Sequence, residues 1–184
     1  LPIAKRPSDF NPAKGFIATA NENVTPKDYA HPEALGYEWS DDFRGKRIAE
    51  VLSQDRKFTL EEMGKLQNDY LALPARKLVP YLKNLQILDS QADSLRKSLF
   101  SWDFRLEKNS IPAAIYVMWE RDLRSRISNL VVPKEVAPYF GNASLTLILD
   151  WMENPGKIDL DPGWQARCTT GGLCLFRSEL PILL

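Results

Sequence analysis

GFIATANENVTPKDY (residues 15–29) and SDDFRGKRI (residues 40–48) are the two stretches that decide how this chain is read. The first opens with an apolar, β-prone run, Phe16, Ile17, Ala18 and Thr19, and predicts a strand over residues 14–21. That run delivers Asn21 at its end. A side-chain amide fixed at a strand end can donate two N–H bonds to an oxyanion. The chain then breaks at Thr25-Pro26 and turns through Lys27, Asp28 and Tyr29. Residues 22–39 read as an ordered loop, with turn signals at Pro26, Asp28 and Pro32. At Ser40 the pattern becomes helical. Ser40 is the expected N-cap, with Asp41 and Asp42 in the first turn, where carboxylates suit the helix dipole. Arg44 follows Tyr29 by fifteen positions.

Outward from these stretches the chain is mainly helical. Phe43, Ile48, Val51 and Leu52 recur near helical spacing. Thr59 with Glu62 forms a capping-box signature. It opens a helix whose apolar set is Leu60, Met63, Leu66, Tyr70 and Leu73, bent or interrupted at Pro74 and continued by Leu78, Val79, Leu82 and Leu85. A third helix is expected over about 90–102. A fourth follows the Asn109-Ser110 cap and Pro112, with Ile115, Met118, Trp119, Leu123 and Ile127, and ends before Pro133. A fifth covers 144–152 and stops at Asn154-Pro155-Gly156. Residues 1–13 are Pro-rich and polar and read as an extended lead-in. The division is therefore 1–39, lead-in, strand and loop, and 40–184, a helical lobe.

The bulk numbers set bounds. The chain has 184 residues, 44% hydrophobic, enough for one domain or one lobe of a larger one. Twenty-four basic and 24 acidic residues cancel, which argues against a dedicated nucleic-acid or anionic-membrane surface. No apolar run approaches the roughly 18 residues that span a bilayer. The opening LPIAKRPSDF lacks the apolar core of a signal peptide and lacks a starting Met, so a processed or excised piece is expected. Cys168 and Cys174 flank Gly171-Gly172 near the end; a local disulfide and two free thiols are both open. With His31 the single histidine, a metal site would need more ligands than these.

The spacing from TAN through the Pro-x-Asp-Tyr turn to Arg44 resembles the penicillin amidase (penicillin acylase) family of N-terminal nucleophile hydrolases. Two further segments are similar to the same family. They are FTLEEMGKLQNDYLALPARKLVPYL (residues 58–82) and LFSWDFRLEKNSIPAAIYVMWERDL (residues 99–123). The matches follow the family's order across about residues 14–125. The resemblance implies an internal part of the β-chain of an autoproteolytically processed antibiotic-metabolism hydrolase. The fold implied is mainly α, a helical lobe with an N-terminal strand and loop, a fragment of a larger four-layer αββα sandwich built from two chains. Two departures stand out. Glu22 replaces the second Asn often found after the oxyanion Asn, and the tail from about Arg167 does not look like the family's continuation.

The resemblance also implies roles. Asn21 is matched to the oxyanion-hole Asn; the alternative is a turn-forming Asn bonded to its own backbone. Arg44 is matched to the active-site arginine, which lowers the pKa of the nucleophile's α-amine or fixes Asn and nucleophile by hydrogen bonds. Its alternatives are a helix-bracing Arg paired with Asp41 or Glu38, with Arg47 one turn away as a second candidate for the role. No cofactor is needed for the chemistry, and no histidine, so a triad through His31 is disfavoured. The family implies a structural calcium in the full enzyme, for which Glu33 is the nearest ligand candidate, with Asp28. The partners implied are the upstream β-chain bearing the nucleophile, the α-chain and a small-molecule amide, with no nucleic acid or membrane. A periplasmic or secreted location is implied by analogy. The nucleophile itself, an N-terminal Ser, Thr or Cys, is not at Leu1, so the segment alone is expected to be inactive. The rival reading is a non-catalytic helical interaction module derived from the family. Trp102, Tyr116 and Trp119 are read as core rather than as an acyl pocket, and Glu120, Arg121, Asp122, Arg124 and Arg126 as a solvated face with local ion pairs.

Overall fold

The computed structural model describes residues 1–85, 87 and 89–154. The cysteine pair and the atypical tail of the sequence lie outside the described residues. The chain divides into two compact units, Leu1–Asp69 and Tyr70–Leu184. Among the described residues six α-helices form, one more than the sequence pattern predicts, because the expected second helix is two: α1 (Phe43–Leu52), α2 (Leu60–Gln67), α3 (Leu73–Leu78), α4 (Ser90–Phe100), α5 (Ile111–Val131) and α6 (Leu145–Glu153). The fold is mainly α. The change from loop to helix falls within a few residues of position 40.

In the first unit the lead-in carries a 3-10 turn at Ile3–Lys5, and the loop carries another at Pro32–Ala34. Tyr29 closes its turn by donating its N–H to Pro26 O at 3.1 Å, and its hydroxyl donates to Lys5 O at 2.8 Å. The Asp-Tyr turn therefore ties the lead-in to the loop. The expected strand over 14–21 is corrected. Residues 16–19 form no regular element and join no ladder, because a strand exists only where a second strand takes up its N–H and C=O groups. Side chains take up the backbone groups of Ala20 instead. The expected N-cap also shifts. Asp42, not Ser40, precedes α1, and Ser40 spends its N–H on Asn21 O at 2.9 Å.

α2 begins as its sequence demands. Thr59 Oγ1 accepts from Glu62 N–H at 3.2 Å and Glu62 accepts from Thr59 N–H at 2.8 Å. Leu60, read as part of an apolar face, is exposed. Thr59→Ala should cost about 1 kcal/mol, read as a lower urea midpoint. The Glu62 carboxyl is held below its ordinary value by the Thr59 backbone bond first and by Arg56 second. Asp93 is lowered by the Lys97 hydrogen bond first, with Arg96 adding. Both contributions are therefore fully present above the ordinary carboxylate range and are lost as pH falls through the lowered values. The urea midpoint of the chain should hold from pH 7 down to about 5 and fall below about pH 4.

The second unit is a packed helical core. Pro74 sits at the start of α3 rather than interrupting a longer helix, because α2 ends at Gln67 and its missing N–H is harmless in a first turn. Between the two helices Leu71 pairs with Arg105 in an isolated antiparallel bridge. Ala72 N–H donates to Phe104 O at 2.8 Å, Leu106 N–H donates to Tyr70 O at 3.0 Å, and the Trp102 indole donates to Arg105 O at 3.0 Å. Phe104 takes a left-handed φ of 63° and stacks edge-on to Trp102 at 5.5 Å. α4 packs against α5, and α6 against α3 and α5.

The buried set is Ala75, Leu78, Leu82, Leu99, Tyr116, Trp119, Leu123 and Ile148, with Trp102 nearly buried. On α5 the buried stripe is Tyr116, Trp119, Leu123 and Ile127, and Met118 points outward, 74% exposed. Ion pairs Arg126–Asp122 (2.9 Å) and Arg124–Glu120 (3.9 Å) lie along the same helix, as its charge spacing predicts. Arg96 ties α4 to the 3-10 turn Val79–Asn84 by donating to Leu82 O and Leu85 O. Ser128 Oγ accepts from Ala143 N–H at 2.7 Å, and Arg124 donates to Ala143 O at 3.1 Å, which fixes the approach to α6. Among the described residues no helix is long and apolar enough to cross a membrane.

Candidate active site

The candidate site is built where Ala20 and Asn21 meet the start of α1. Asn21 has φ 68°, in the left-handed region that Asn tolerates better than most residues. Three backbone groups around it, Ala20 N–H, Ala20 O and Asn21 O, are engaged. Ala20 N–H donates to Glu22 Oε2 at 2.7 Å, and Arg44 Nη2 donates to Ala20 O at 2.8 Å. Asn21 O accepts from Ser40 N–H. The Ala20 backbone is thus held by a carboxylate on its N–H and a guanidinium on its carbonyl.

Arg44 makes a second contact that orients the amide. Its Nη2 also donates to Asn21 Oδ1 at 2.8 Å. A guanidinium has donors and no acceptor, so the Asn21 atom facing it must be the oxygen. The Asn21 NH2 group is thereby turned away from Arg44, and it makes no hydrogen bond among the described residues. The result is an exposed, two-proton donor of fixed orientation. The Arg44 hydrogen bonds go to Ala20 O and Asn21 Oδ1. Arg47 is committed elsewhere: it donates to Asp69 at 2.7 Å and 2.8 Å and pairs with Glu50 at 3.1 Å. Of the two arginines on α1, Arg44 alone reaches Asn21.

Glu22 and Gly45 also belong to this arrangement. Gly45 is buried, the third residue of α1, and the space a Cβ would occupy there is filled by the Glu22 carboxyl group. Sequence reasoning registered Glu22 only as a departure and passed over Gly45. The available signal was a glycine inside the first turn of an amphipathic helix, where its low helix propensity calls for a reason.

The remaining candidates lie apart from this centre. His31 is half-exposed, edge-on to Tyr29 at 6.1 Å, with Nδ1 3.8 Å from Glu33 Oε1. No nucleophile stands beside it. Among the described residues no group of three or more His, Cys, Asp or Glu gathers as a metal would require. Glu33 and Asp28 together fall short of the roughly six to eight oxygens of a calcium ion. An open groove in the first unit, lined by Phe16, Leu52, Arg56, Phe58 and Met63 with Lys14, contains neither Asn21 nor Arg44.

An exposed side-chain amide whose oxygen is held by an arginine from the following helix presents its N–H protons for donation to an anionic oxygen. The sequence profile of the Penicillin amidase family matches residues 1–173, and the chain belongs to that family. It is 31% identical over 124 residues to the penicillin acylase 2 proenzyme of Pseudomonas sp. (strain SE83). The match covers 67% of this chain and 16% of that protein, so the chain spans about a sixth of the length of this curated relative.

Proposed function

We propose that this chain supplies the oxyanion-binding element of a penicillin-amidase-like hydrolase that cleaves the linear amide of an N-acyl compound. The observation that carries the reading is Arg44 Nη2 bonded to both Ala20 O and Asn21 Oδ1, which aims the Asn21 NH2 group outward. In the reaction, the oxygen or sulfur of an N-terminal nucleophile attacks the amide carbonyl carbon, and its α-amine takes the proton. The carbonyl oxygen becomes an oxyanion, to which Asn21 Nδ2–H donates. Collapse breaks the C–N bond, the α-ammonium returns its proton to the leaving amine, and water then releases the carboxylic acid from the acyl-enzyme. The nucleophile belongs to the upstream part of the enzyme, so the segment alone is inactive. The word proenzyme in the relative's name supports a precursor cut into chains that assemble around the site.

Arg44 holds its charge close to the amide. It disfavours protonation of a nearby α-amine, keeping that amine a base at working pH. In solvent a single exposed donor contributes little; enclosure by the rest of the enzyme gives it its strength. Candidate substrates are aryl-acetyl or acyl β-lactams, acyl-homoserine lactones and related N-acyl compounds. Calcium enters only as an ion held jointly with the other chain, with Glu33 as this segment's contribution. The location in this reading is periplasmic or secreted.

The test is expression of the complete reading frame containing this segment, with N-terminal sequencing of the purified product and measurement of acid and amine release. Two chains are expected, one beginning with Ser, Thr or Cys, with stoichiometric release of both products. A single uncleaved, inactive chain would overturn the proposal in favour of a non-catalytic interaction module.

A further inference from the structure

We infer that Glu22 and Gly45 act as a matched pair that positions the Asn21 amide, with the glycine reserving the space in which the carboxylate sits. The inference rests on the reading of Asn21 as the oxyanion donor and adds to it two positioning residues that do not touch substrate.

Three observations converge. First, Glu22 bonds the N–H of the residue two positions before it, at 2.7 Å. That bond closes the chain around Asn21 and favours the left-handed φ of 68° found there. Without it Asn21 could relax to an extended backbone, and its amide would swing away from Arg44. Second, Gly45 is helical, so its own backbone does not call for glycine. A helical glycine is less stable than alanine at the same position. A Cβ there would stand 2.5 Å from Glu22 Cδ and closer still to Oε1, nearer than real contacts allow, and a tight 3.0 Å from Oε2. The carboxyl group is held by its bond to Ala20, so it cannot yield without giving up that bond. Third, the carboxylate lies against the first turn of α1, where the helix dipole favours negative charge. The same turn carries Arg44, one residue before Gly45. Glu22 thus fixes the backbone of the amide, Arg44 fixes its side chain, and Gly45 lets both approach the same helix turn.

The pair makes a prediction whose sign depends on background. In the full-length enzyme, with activity normalised to processed chain, Gly45→Ala should lower kcat roughly tenfold to a hundredfold through misplacement of the amide. KM should change little, since only a transition-state contact is disturbed. Glu22→Ala should do the same. In the double variant, Gly45→Ala should add no further loss, because the carboxylate it displaces is gone. The thermal midpoint gives an independent reading. Gly45→Ala should lower it when Glu22 is present and raise it when Glu22 is Ala, as a better helix former fills the vacated space. Glu22→Gln, which keeps an acceptor for Ala20 N–H at the same volume, should retain most of the turnover.

Additive losses in kcat, or a Gly45→Ala effect of the same sign on the thermal midpoint in both backgrounds, would overturn the pair. Asn21→Ala separates the two claims. If it lowers kcat and neither Glu22→Ala nor Gly45→Ala does, the pair fails and the Asn21 reading stands. If Asn21→Ala leaves kcat unchanged, the Asn21 reading and the catalytic role of the pair fail together, and the packing of Glu22 on Gly45 stands or falls on the thermal midpoints.

Discussion

Asn21→Ala in the complete, processed enzyme is expected to lower kcat by about 10²–10³, some 3 kcal/mol of barrier, with KM little altered. The donor is directed at charge that develops only as the tetrahedral intermediate forms, so its loss falls on the transition state and spares ground-state binding. The geometry sharpens the expectation. Asn21 Oδ1 is held by Arg44, and the NH2 group is left with its protons facing outward. Asn21→Asp keeps the shape and can still pair with Arg44, but it replaces the donor with a carboxylate that repels an oxyanion. It should be at least as damaging as the Ala variant, although it is the closest substitute in volume. Steady-state kinetics on a chromogenic anilide with an apolar acyl group would report both. An Asp variant that keeps most of the turnover would show that Asn21 acts as a turn former, its side chain serving only the backbone.

Arg44 separates from Arg47 by the same logic. Arg44 lies on the face of α1 that meets the Ala20–Asn21 backbone, whereas Arg47 is taken by Asp69 and Glu50. Spacing alone places both arginines within one turn of helix α1, and only the direction of each side chain decides between them.

Much of the helical plan was legible because its signals are local. Thr59 with Glu62, Ser110 ahead of Pro112, and Ser144 ahead of an apolar run each cap the helix they announce. The failures share a physical cause, which is that non-local partners decide them. The run at 14–21 has strand propensity, but a ladder needs a neighbour, and its end is bonded by Glu22 and Arg44 instead. Ser40 has the right side chain for a cap, but α1 begins after Asp42, and the Ser40 N–H is bonded to Asn21 O. Met118 and Leu60 fit an apolar face by type, yet both are exposed, since side-chain direction around the helix is set by what packs against it. At the site, Asn21 and Arg44 were legible as a spaced pair. The fit of Glu22 to Gly45 was not, because it joins residues 23 apart through the absence of a side chain.

The second large effect is on stability and contrasts two neighbours on one helix. Trp119→Ala is expected to cost about 3–5 kcal/mol, a large share of a typical domain's 5–15. Met118→Ala should stay within about 0.5 kcal/mol. Trp119 is 1% exposed and Met118 is 74% exposed, so the first change opens a cavity and the second trims a side chain in water. The cavity would be poorly refilled. Trp119 stacks edge-on to Tyr116 at 6.0 Å, and Tyr116 in turn lies 5.5 Å from Trp102, so one substitution unseats a three-ring cluster. The Trp119 indole N–H has no hydrogen-bond partner among the described residues. Its removal therefore relieves an unsatisfied donor, and Trp119→Phe should recover much of the lost stability by keeping an aromatic face without that donor. Urea unfolding followed by circular dichroism should order the variants as Met118→Ala, then Trp119→Phe, then Trp119→Ala, from least to most destabilised. If Trp119→Phe proved as damaging as Trp119→Ala, the indole would be acting through a bond to its N–H rather than through ring packing, and the aromatic cluster would not be what holds α5 in the core.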